Sequence, residues 1–333
     1  MRIFFAGDYY SGTGPANVTK YYIDNLPKGT LYQKKRDKYA RVPELILNTI
    51  RADAVIYSGY SRQVILGAKI AKKLGKPCAY LMHGCVEYEN KINCAEDEEM
   101  ARGEREILSL CDVIYAVSPN FCEWLKEHYP EYGDKFDYIS NALDEELKNS
   151  ERVQMSDRDR HMVFSVGGGM PRKKIKVLCK AIEILREDYD SDLYLTVVGD
   201  KGADSEEIDS YPFVDNRGIV SFKESEMLYK KAALFVQNSC FETFGLAPVE
   251  AISTGCPVLV SKHVGALCLF DNYESFDIIE NCEDPYEIAG KIKYLLENPN
   301  ASRLEEGIKW ESNTWKTRSQ TLSEKLSQLI LKK

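Results

Sequence analysis

The chain has 333 residues, 44 basic and 52 acidic groups and ten cysteines, with 44% apolar and 29% charged residues. This length suggests two domains of ~100–200 residues each, and the composition excludes disorder and fibrous repeats. No apolar run approaches the ~18 residues of a membrane span. Residues 1–7 are too short an apolar stretch for a signal peptide. Net charge is −8 and uneven: residues 1–90 hold 14 basic and 7 acidic groups, the remainder 30 and 45. Such asymmetry fits an anionic partner for the first part, or a solvated surface.

Strand signals alternate with helical ones along the chain, the pattern of parallel α/β domains. The first half predicts buried strands at 2–7, 54–59, 78–83, 113–118 and 136–140, and a helix at 63–74 with Val64, Ile65, Ala68 and Ala71 at helical spacing. The charge-dense segment 144–160 reads as a linker. Strands are predicted at 162–166, 193–199, 234–237, 257–260 and 277–279, with helices near 174–187, 224–231, 247–254 and 285–296. The final stretch reads as a helix broken near Asn313, able to cross back onto the first domain. The expected domains are 1–150, 151–310 and a C-terminal helix at 311–333. Cys78, Cys111, Cys179 and Cys256 sit in or beside apolar segments and no C-x-x-C pair occurs, which suits buried, reduced thiols of a cytoplasmic protein.

Residues 235–261 read FVQNSCFETFGLAPVEAISTGCPVLVS. A strand ends in a polar turn with Glu242; Thr243, Phe244, Gly245 and Leu246 then lead into a helix carrying Glu250. Backbone N–H groups at such a loop and helix start receive an anion or a cluster of hydroxyls, and Glu250 lies about one turn inside. Two surface glutamates near a helix start are stabilised there in any case.

The whole string, two glutamates separated by seven residues and then a TGCPV turn into a strand, resembles the retaining GT-B glycosyltransferases of glycosyltransferase family four (glycosyl transferases group 1). The resemblance is strongest over 161–262 and continues more weakly over 1–145. It implies two Rossmann-like, doubly wound α/β domains facing a central cleft, an N-terminal one for the acceptor and a C-terminal one for a nucleotide-sugar donor. Carried over, Glu242 contacts the transferred sugar with Phe244, Gly245 and Leu246, Thr243 approaches the diphosphate, and Glu250 holds the ribose.

The segment SVGGGMPRKKIKVLCKAI, residues 165–182, resembles the family's diphosphate loop. Lys173 fits its lysine, whereas Gly168 stands where the family usually has arginine; Arg172 can substitute from a shifted position, or backbone amides can serve. LTVVGD at 195–200 and GIVSFKESEMLYKKA at 218–232 resemble the nucleobase pocket, which assigns the base to Val198, Gly199, Ile219 and Val220. In the first half, the loop from Gly7 to Gly14 precedes a helix beginning near Pro15. A dinucleotide fingerprint wants a tighter turn and an acid ~20 residues on, but the chain has Leu31-Tyr32-Gln33 there. An NAD(P)-dependent oxidoreductase is therefore the weaker alternative. The resemblance gives Gly12 and Gly14 to the donor diphosphate and gives His83, at a strand end beside Gly84, to the donor sugar.

Three Asp-x-Asp copies, at 157–159, 188–190 and 190–192, lie in polar or helix-end sequence. They read as solvated charge rather than a cation site, so no metal or cofactor is expected. The run Lys34-Lys35-Arg36-Asp37-Lys38-Tyr39-Ala40-Arg41 can meet anionic lipid or a lipid-linked diphosphate acceptor at the inner membrane face, or decorate the surface. No nucleic-acid motif accompanies it. The expected function is metal-independent, retaining transfer of a sugar from a nucleotide-diphosphate donor, UDP favoured over GDP. The hydroxyl acceptor belongs to a glycan or lipid-linked molecule, in polysaccharide or glycoconjugate biosynthesis, with Glu242, His83 and Lys173 as catalytic residues. The alternative in another class is a catalytically idle GT-B accessory protein that binds a nucleotide sugar.

Overall fold

The computed structural model describes residues 2–331. The chain divides into two units: one takes the residues up to Tyr88, Asp97–Leu143 and the chain from Glu311, and the other takes Glu89–Glu96 and Asp144–Trp310. The division thus falls at Leu143/Asp144 instead of residue 150. Leu143 donates its amide to the Asn313 carbonyl at 2.8 Å within the first unit, while the Asp144 carboxylate caps the next helix by accepting from the Glu146 amide.

In the first unit, β1 (Ile3–Gly7), β2 (Leu31–Tyr32), β3 (Ala54–Ser58), β4 (Cys78–Met82), β5 (Val113–Ala116) and β6 (Phe136–Tyr138) form one parallel sheet in the order β2-β1-β3-β4-β5-β6. Every residue of β1, β3 and β4 is buried, as strands covered on both faces by crossover helices require. Those helices are α1 (Gly14–Asn25), α2 (Lys38–Arg51), α3 (Arg62–Lys73), α5 (Glu98–Leu110) and α6 (Pro119–His128), while α4 (Val86–Ile92) straddles the division, its residues from Glu89 grouping with the second unit. Thr13, Asp37, Ser61, Asp97 and Ser118 cap five of them with side-chain oxygens, satisfying amides that the first turn leaves open. The two-residue β2 and the helix α2 were not foreseen, because polar residues and an internal Pro43 obscure the pattern of α2. The C-terminal helix Trp315–Leu331 lies in this unit: Trp315 stacks on Tyr21 of α1 at 4.8 Å, and Leu322 and Leu326 are buried.

The second unit holds β7 (Asp159–Val166), β8 (Tyr194–Val198), β9 (Val214–Asn216), β10 (Ala232–Gln237), β11 (Val258–Ser261) and β12 (Ile278–Ile279), all parallel in the order β12-β11-β10-β7-β8-β9. This is the doubly wound order with its switch point between β7 and β10, where open α/β sheets take ligands. Its helices are α7 (Glu145–Lys148), α8 (Ile175–Asp188), α9 (Ser205–Asp209), α10 (Phe222–Lys231), α11 (Ala247–Ser253), α12 (Pro285–Glu297) and α13 (Ala301–Glu306). Leu178, Ile182, Val236, Leu259, Ile288 and Ile292 belong to the core between sheet and helices.

The expected linker 144–160 is built structure. It carries α7, a 3-10 turn and the start of β7. Arg158, 6% exposed, donates to the carbonyls of Tyr229, Lys230 and Ala232 and to those of Val153 and Thr254. It thereby closes the C-terminal ends of α10 and α11, where helices leave carbonyls without partners.

Candidate active site

The β7–α8 turn delivers two cations. Gly167 (φ +150°) lets the stem of Lys173 cross it: a Cβ there would lie 2.4 Å from Lys173 Cγ. Gly168 (φ +55°) packs against the chain after β8, where a Cβ would lie 2.0 Å from the Asp200 carbonyl oxygen. The departure from arginine at 168 therefore has a packing cause. The amides of Gly167 and Gly168 donate to Val198 O, and that of Gly169 to Asp200 O, so these glycine amides are committed within the protein. The cationic role falls to side chains, and Pro171–Lys173, a 3-10 turn, presents both Arg172 and Lys173.

Both cations meet Glu242 on the loop after β10. Lys173 Nζ donates to Glu242 Oε2, and Arg172 Nη1 donates to the same oxygen at 3.2 Å and to Phe241 O at 3.2 Å. Gln237, the last residue of β10, approaches that oxygen with Nε2 at 3.4 Å. Burial raises the Glu242 carboxyl, but Lys173 and then Arg172 more than offset it and hold it below the ordinary range. The Cys240 amide donates to Arg172 O at 2.9 Å, tying the two loops together. Asn93 Oδ1 accepts from the Arg172 amide at 3.3 Å, and Glu89 lies 3.8 Å from its Nε. The segment Glu89–Glu96 groups with this unit.

Glu250 sits on α11, one turn past the loop. Tyr229 Oη, buried on α10, donates to Glu250 Oε2 at 3.0 Å. Burial raises the Glu250 carboxyl above its ordinary range, with the Tyr229 hydrogen bond opposing. Between the glutamates, the amides of Phe244, Gly245 and Leu246 donate no hydrogen bond among the described residues. Phe244 is buried as a whole residue, 3% exposed, whereas Gly245 and Leu246 are half-buried and better placed to offer their amides. Thr243 is buried beside it, and Gly245 leaves the space that Glu242 fills, since a Cβ there would lie 2.7 Å from Glu242 Cγ.

Of the nucleobase residues, Val198 is buried and Gly199 donates to Gly218 O at 2.8 Å, joining the ends of β8 and β9. Ile219 is 77% exposed; it and Val220 donate no backbone hydrogen bond among the described residues. That leaves Ile219 and Val220, more than Val198 and Gly199, with polar backbone groups to offer a base.

In the first unit, Gly12 lies exposed on the loop after β1 and Gly14 lies exposed as the first residue of α1, with nothing within 4 Å of an added Cβ at either. β2 ends at Tyr32 and is followed by buried Gln33, not by an acid. His83 follows β4, and burial lowers its pKa to about 4. Its Nε2 lies 2.8 Å from Ser58 Oγ, which is 2.7 Å from Thr19 Oγ1, and Thr19 donates to Pro15 O at 2.8 Å. With the Thr19 proton committed to the carbonyl, Ser58 donates to Thr19 and accepts from His83. This relay favours the Nε2–H tautomer of the imidazole.

Among the described residues, one group, His161 with Asp190 and Asp192, has potential metal-ligand atoms within 4.8 Å of one another. His161 already pairs with Asp190 through Nδ1 at 3.0 Å and accepts from Arg160 through Nε2 at 2.9 Å. Asp159 binds Tyr194 Oη at 2.7 Å. Sequence reasoning missed Tyr229, Gln237, Glu89 and Asn93. A polar residue closing the apolar strand LFVQ was a signal for Gln237; the other three carry none, because separate segments bring them in.

The chain is 24% identical over 294 residues to a D-inositol 3-phosphate glycosyltransferase of Paenarthrobacter aurescens, covering 79% of this chain and 71% of that protein. It is 26% identical over 157 residues to the O-antigen chain mannosyltransferase RfbU of Salmonella typhimurium, covering 45% of this chain and 42% of that protein. The structure of Anabaena Alr3699/HepE in complex with UDP and glucose superposes with a TM-score of 0.70 at 14% identity, covering 98% of this chain and all of the other. Residues 148–310, closely the second unit, match the family model of glycosyl transferases group 1, within a chain whose two parallel six-stranded sheets give it the GT-B glycosyltransferase fold.

Proposed function

We propose that the protein transfers a sugar from a nucleotide-diphosphate donor to a hydroxyl of a glycan or lipid-linked acceptor, with retention and without metal. The observation that carries this reading is the convergence of Lys173 and Arg172 on Glu242 at the β7/β10 switch point, with Glu250 one turn beyond. When the glycosidic C–O bond breaks, its electron pair goes to the β-phosphate oxygen, and Lys173 and Arg172 stabilise that growing charge. The acceptor oxygen bonds to the anomeric carbon on the face the leaving group vacates, and its proton passes to the leaving phosphate. Glu242 orients the sugar and faces its developing positive charge, and Glu250 accepts from the ribose hydroxyls. A UDP donor is favoured by the UDP-bound structural relative. A position at the inner membrane face suits a lipid-linked acceptor.

A thermal-shift screen of UDP-, GDP- and ADP-sugars tests this, since a ligand binding only the folded state raises its midpoint by mass action. The expected result is one base class that stabilises the protein, with release of free nucleotide diphosphate that survives excess chelator. Stabilisation without any release would favour an idle binder, and loss on chelation restored by magnesium would overturn the cationic leaving-group chemistry.

A further inference from the structure

The helix α2 is apolar on the side that faces away from the sheet. Its core side carries Leu45, Asn48 and Thr49, all buried. Tyr39, Pro43, Leu47 and Ile50, spaced four, four and three residues apart, form a second stripe, and all four are exposed. Tyr39 is 76%, Leu47 45% and Ile50 52% exposed. Single exposed apolar residues are ordinary, but a continuous stripe bordered by charge marks an interaction surface.

That border is cationic. Residues 34–51 contain six basic residues, Lys34, Lys35, Arg36, Lys38, Arg41 and Arg51, and two acidic ones, Asp37 and Glu44. Both acids are turned to backbone. Asp37 Oδ1 accepts from the Tyr39 and Ala40 amides at 2.9 and 3.1 Å, and Glu44 accepts from the Lys34 and Lys35 amides at 3.1 and 2.8 Å. These bonds shape the loop before α2. Lys34, Lys35 and Arg36 are exposed, and Lys34 and Arg36 sit over the rings of Tyr32 and Tyr10 at 5.0 and 4.8 Å. No helix among the described residues is long and apolar enough to cross a membrane, so any membrane attachment through them is peripheral.

We infer that α2 and the loop before it form a docking surface for an anionic lipid bilayer. The helix lies in the plane of the interface with Tyr39, Leu47 and Ile50 inserted, and Lys34, Lys35 and Arg36 meet acidic headgroups. Charge complementarity selects this occupant: a second copy of the chain would bring the same cations against themselves. The inference rests on the reading above only in giving a lipid-linked acceptor a place to be met, and vesicle binding requires no catalysis.

The test is co-sedimentation of the intact protein with phosphatidylcholine vesicles, with and without about 30% phosphatidylglycerol. The wild type should pellet with the anionic vesicles and not the neutral ones, and half-molar salt should release it. Changing Lys34, Lys35 and Arg36 together to Gln should weaken partitioning on the order of 100-fold, and Leu47→Gln with Ile50→Gln about 10-fold or more. Both variants alter exposed side chains outside the donor site, so their melting midpoints and UDP affinity should match the wild type. A wild type that ignores anionic vesicles at low salt overturns the inference. So does full binding by the Leu47/Ile50 variant, or self-association of the wild type that this variant abolishes. UDP binding measured alongside separates these outcomes from failure of the glycosyltransferase reading.

Discussion

Glu242 is the counter-ion of the two cations that a diphosphate would need, so Glu242→Gln should have two opposite effects. In the free protein, Lys173 and Arg172 both donate to its Oε2, with the three side chains only 11–16% exposed. Neutralising Glu242 removes the carboxylate that pairs with Lys173 and leaves Arg172 to Glu89 at 3.8 Å. Because glutamine keeps an acceptor oxygen, we expect a loss of about 1–3 kcal/mol of stability, below the ~3–5 kcal/mol of breaking a fully buried pair. A bound diphosphate gains from the same change. A phosphate charge about 6 Å from the carboxylate is repelled by roughly 3 kcal/mol at an effective dielectric constant near 20, and residual solvent access reduces this to about 1–2 kcal/mol. UDP should therefore bind ~5- to 30-fold more tightly to the variant while sugar transfer falls by at least ~100-fold. Calorimetric titration of UDP and of uridine reads the effect: uridine affinity should stay unchanged, because it carries no phosphate. UDP affinity that drops tenfold, or a gain shared equally by uridine, would refute the counter-ion argument.

In the ribose-binding role proposed above, Glu250 must be ionised, and burial raises its carboxyl. Uridine affinity should therefore fall as pH is lowered from about 8 to 5, and Glu250→Gln should flatten that dependence while weakening binding about tenfold. Stability runs the other way for this group: the folded state holds its proton more firmly than the unfolded chain, so its contribution is complete at low pH and disappears as pH rises. His83 has the opposite sign. With a folded value of about 4 and an unfolded one near ~6.5, its contribution is complete above about pH 6.5. On the order of 3 kcal/mol is lost as pH falls to about 4, and His83→Gln should remove that part of the acid limb in a melting series. Nitrogen NMR should find the Nε2–H tautomer in the wild type, and Ser58→Ala should release that preference; an Nδ1–H wild type would contradict the Thr19–Ser58 relay. Placing at position 168 the arginine of the family the chain resembles, Gly168→Arg, should cost more than ~3 kcal/mol, because a Cβ there would lie 2.0 Å from Asp200 O, and UDP affinity should not improve in whatever folds.

The parts of the site legible in the sequence are those that one continuous segment supplies. Glu242 and Glu250 lie on a single strand–loop–helix passage, and the apolar strand before it and the TGCPV turn after it are local patterns that backbone geometry demands. The side chains that tune these carboxylates come from elsewhere. Tyr229 reaches Glu250 from the preceding helix, and Lys173 and Arg172 reach Glu242 from the end of a different strand. Only the sheet order brings those ends together. Likewise the charge density of 144–160 suggested solvent, because a buried arginine looks the same as an exposed one until the carbonyls it serves are known. For Arg158 those carbonyls terminate two helices about 70 and 100 residues downstream.

Gly168 is the instructive case. Read as side-chain identity, glycine in place of arginine is a lost cation and an argument for an inactive protein. Read as geometry, it is a residue at positive φ pressed against the backbone that follows β8, in a turn whose amides bond to that same backbone. No larger side chain fits without separating the two loops. The positive charge has not disappeared from the turn: Arg172, four residues on, lies in the 3-10 turn that also presents Lys173, and both cations donate to one carboxylate oxygen. Electrostatic stabilisation depends on where charge sits relative to the reacting atoms and not on which chain position supplies it. A motif with its arginine displaced can therefore retain its chemistry, provided the loop is closed by backbone packing, as it is at Gly168 and Gly199.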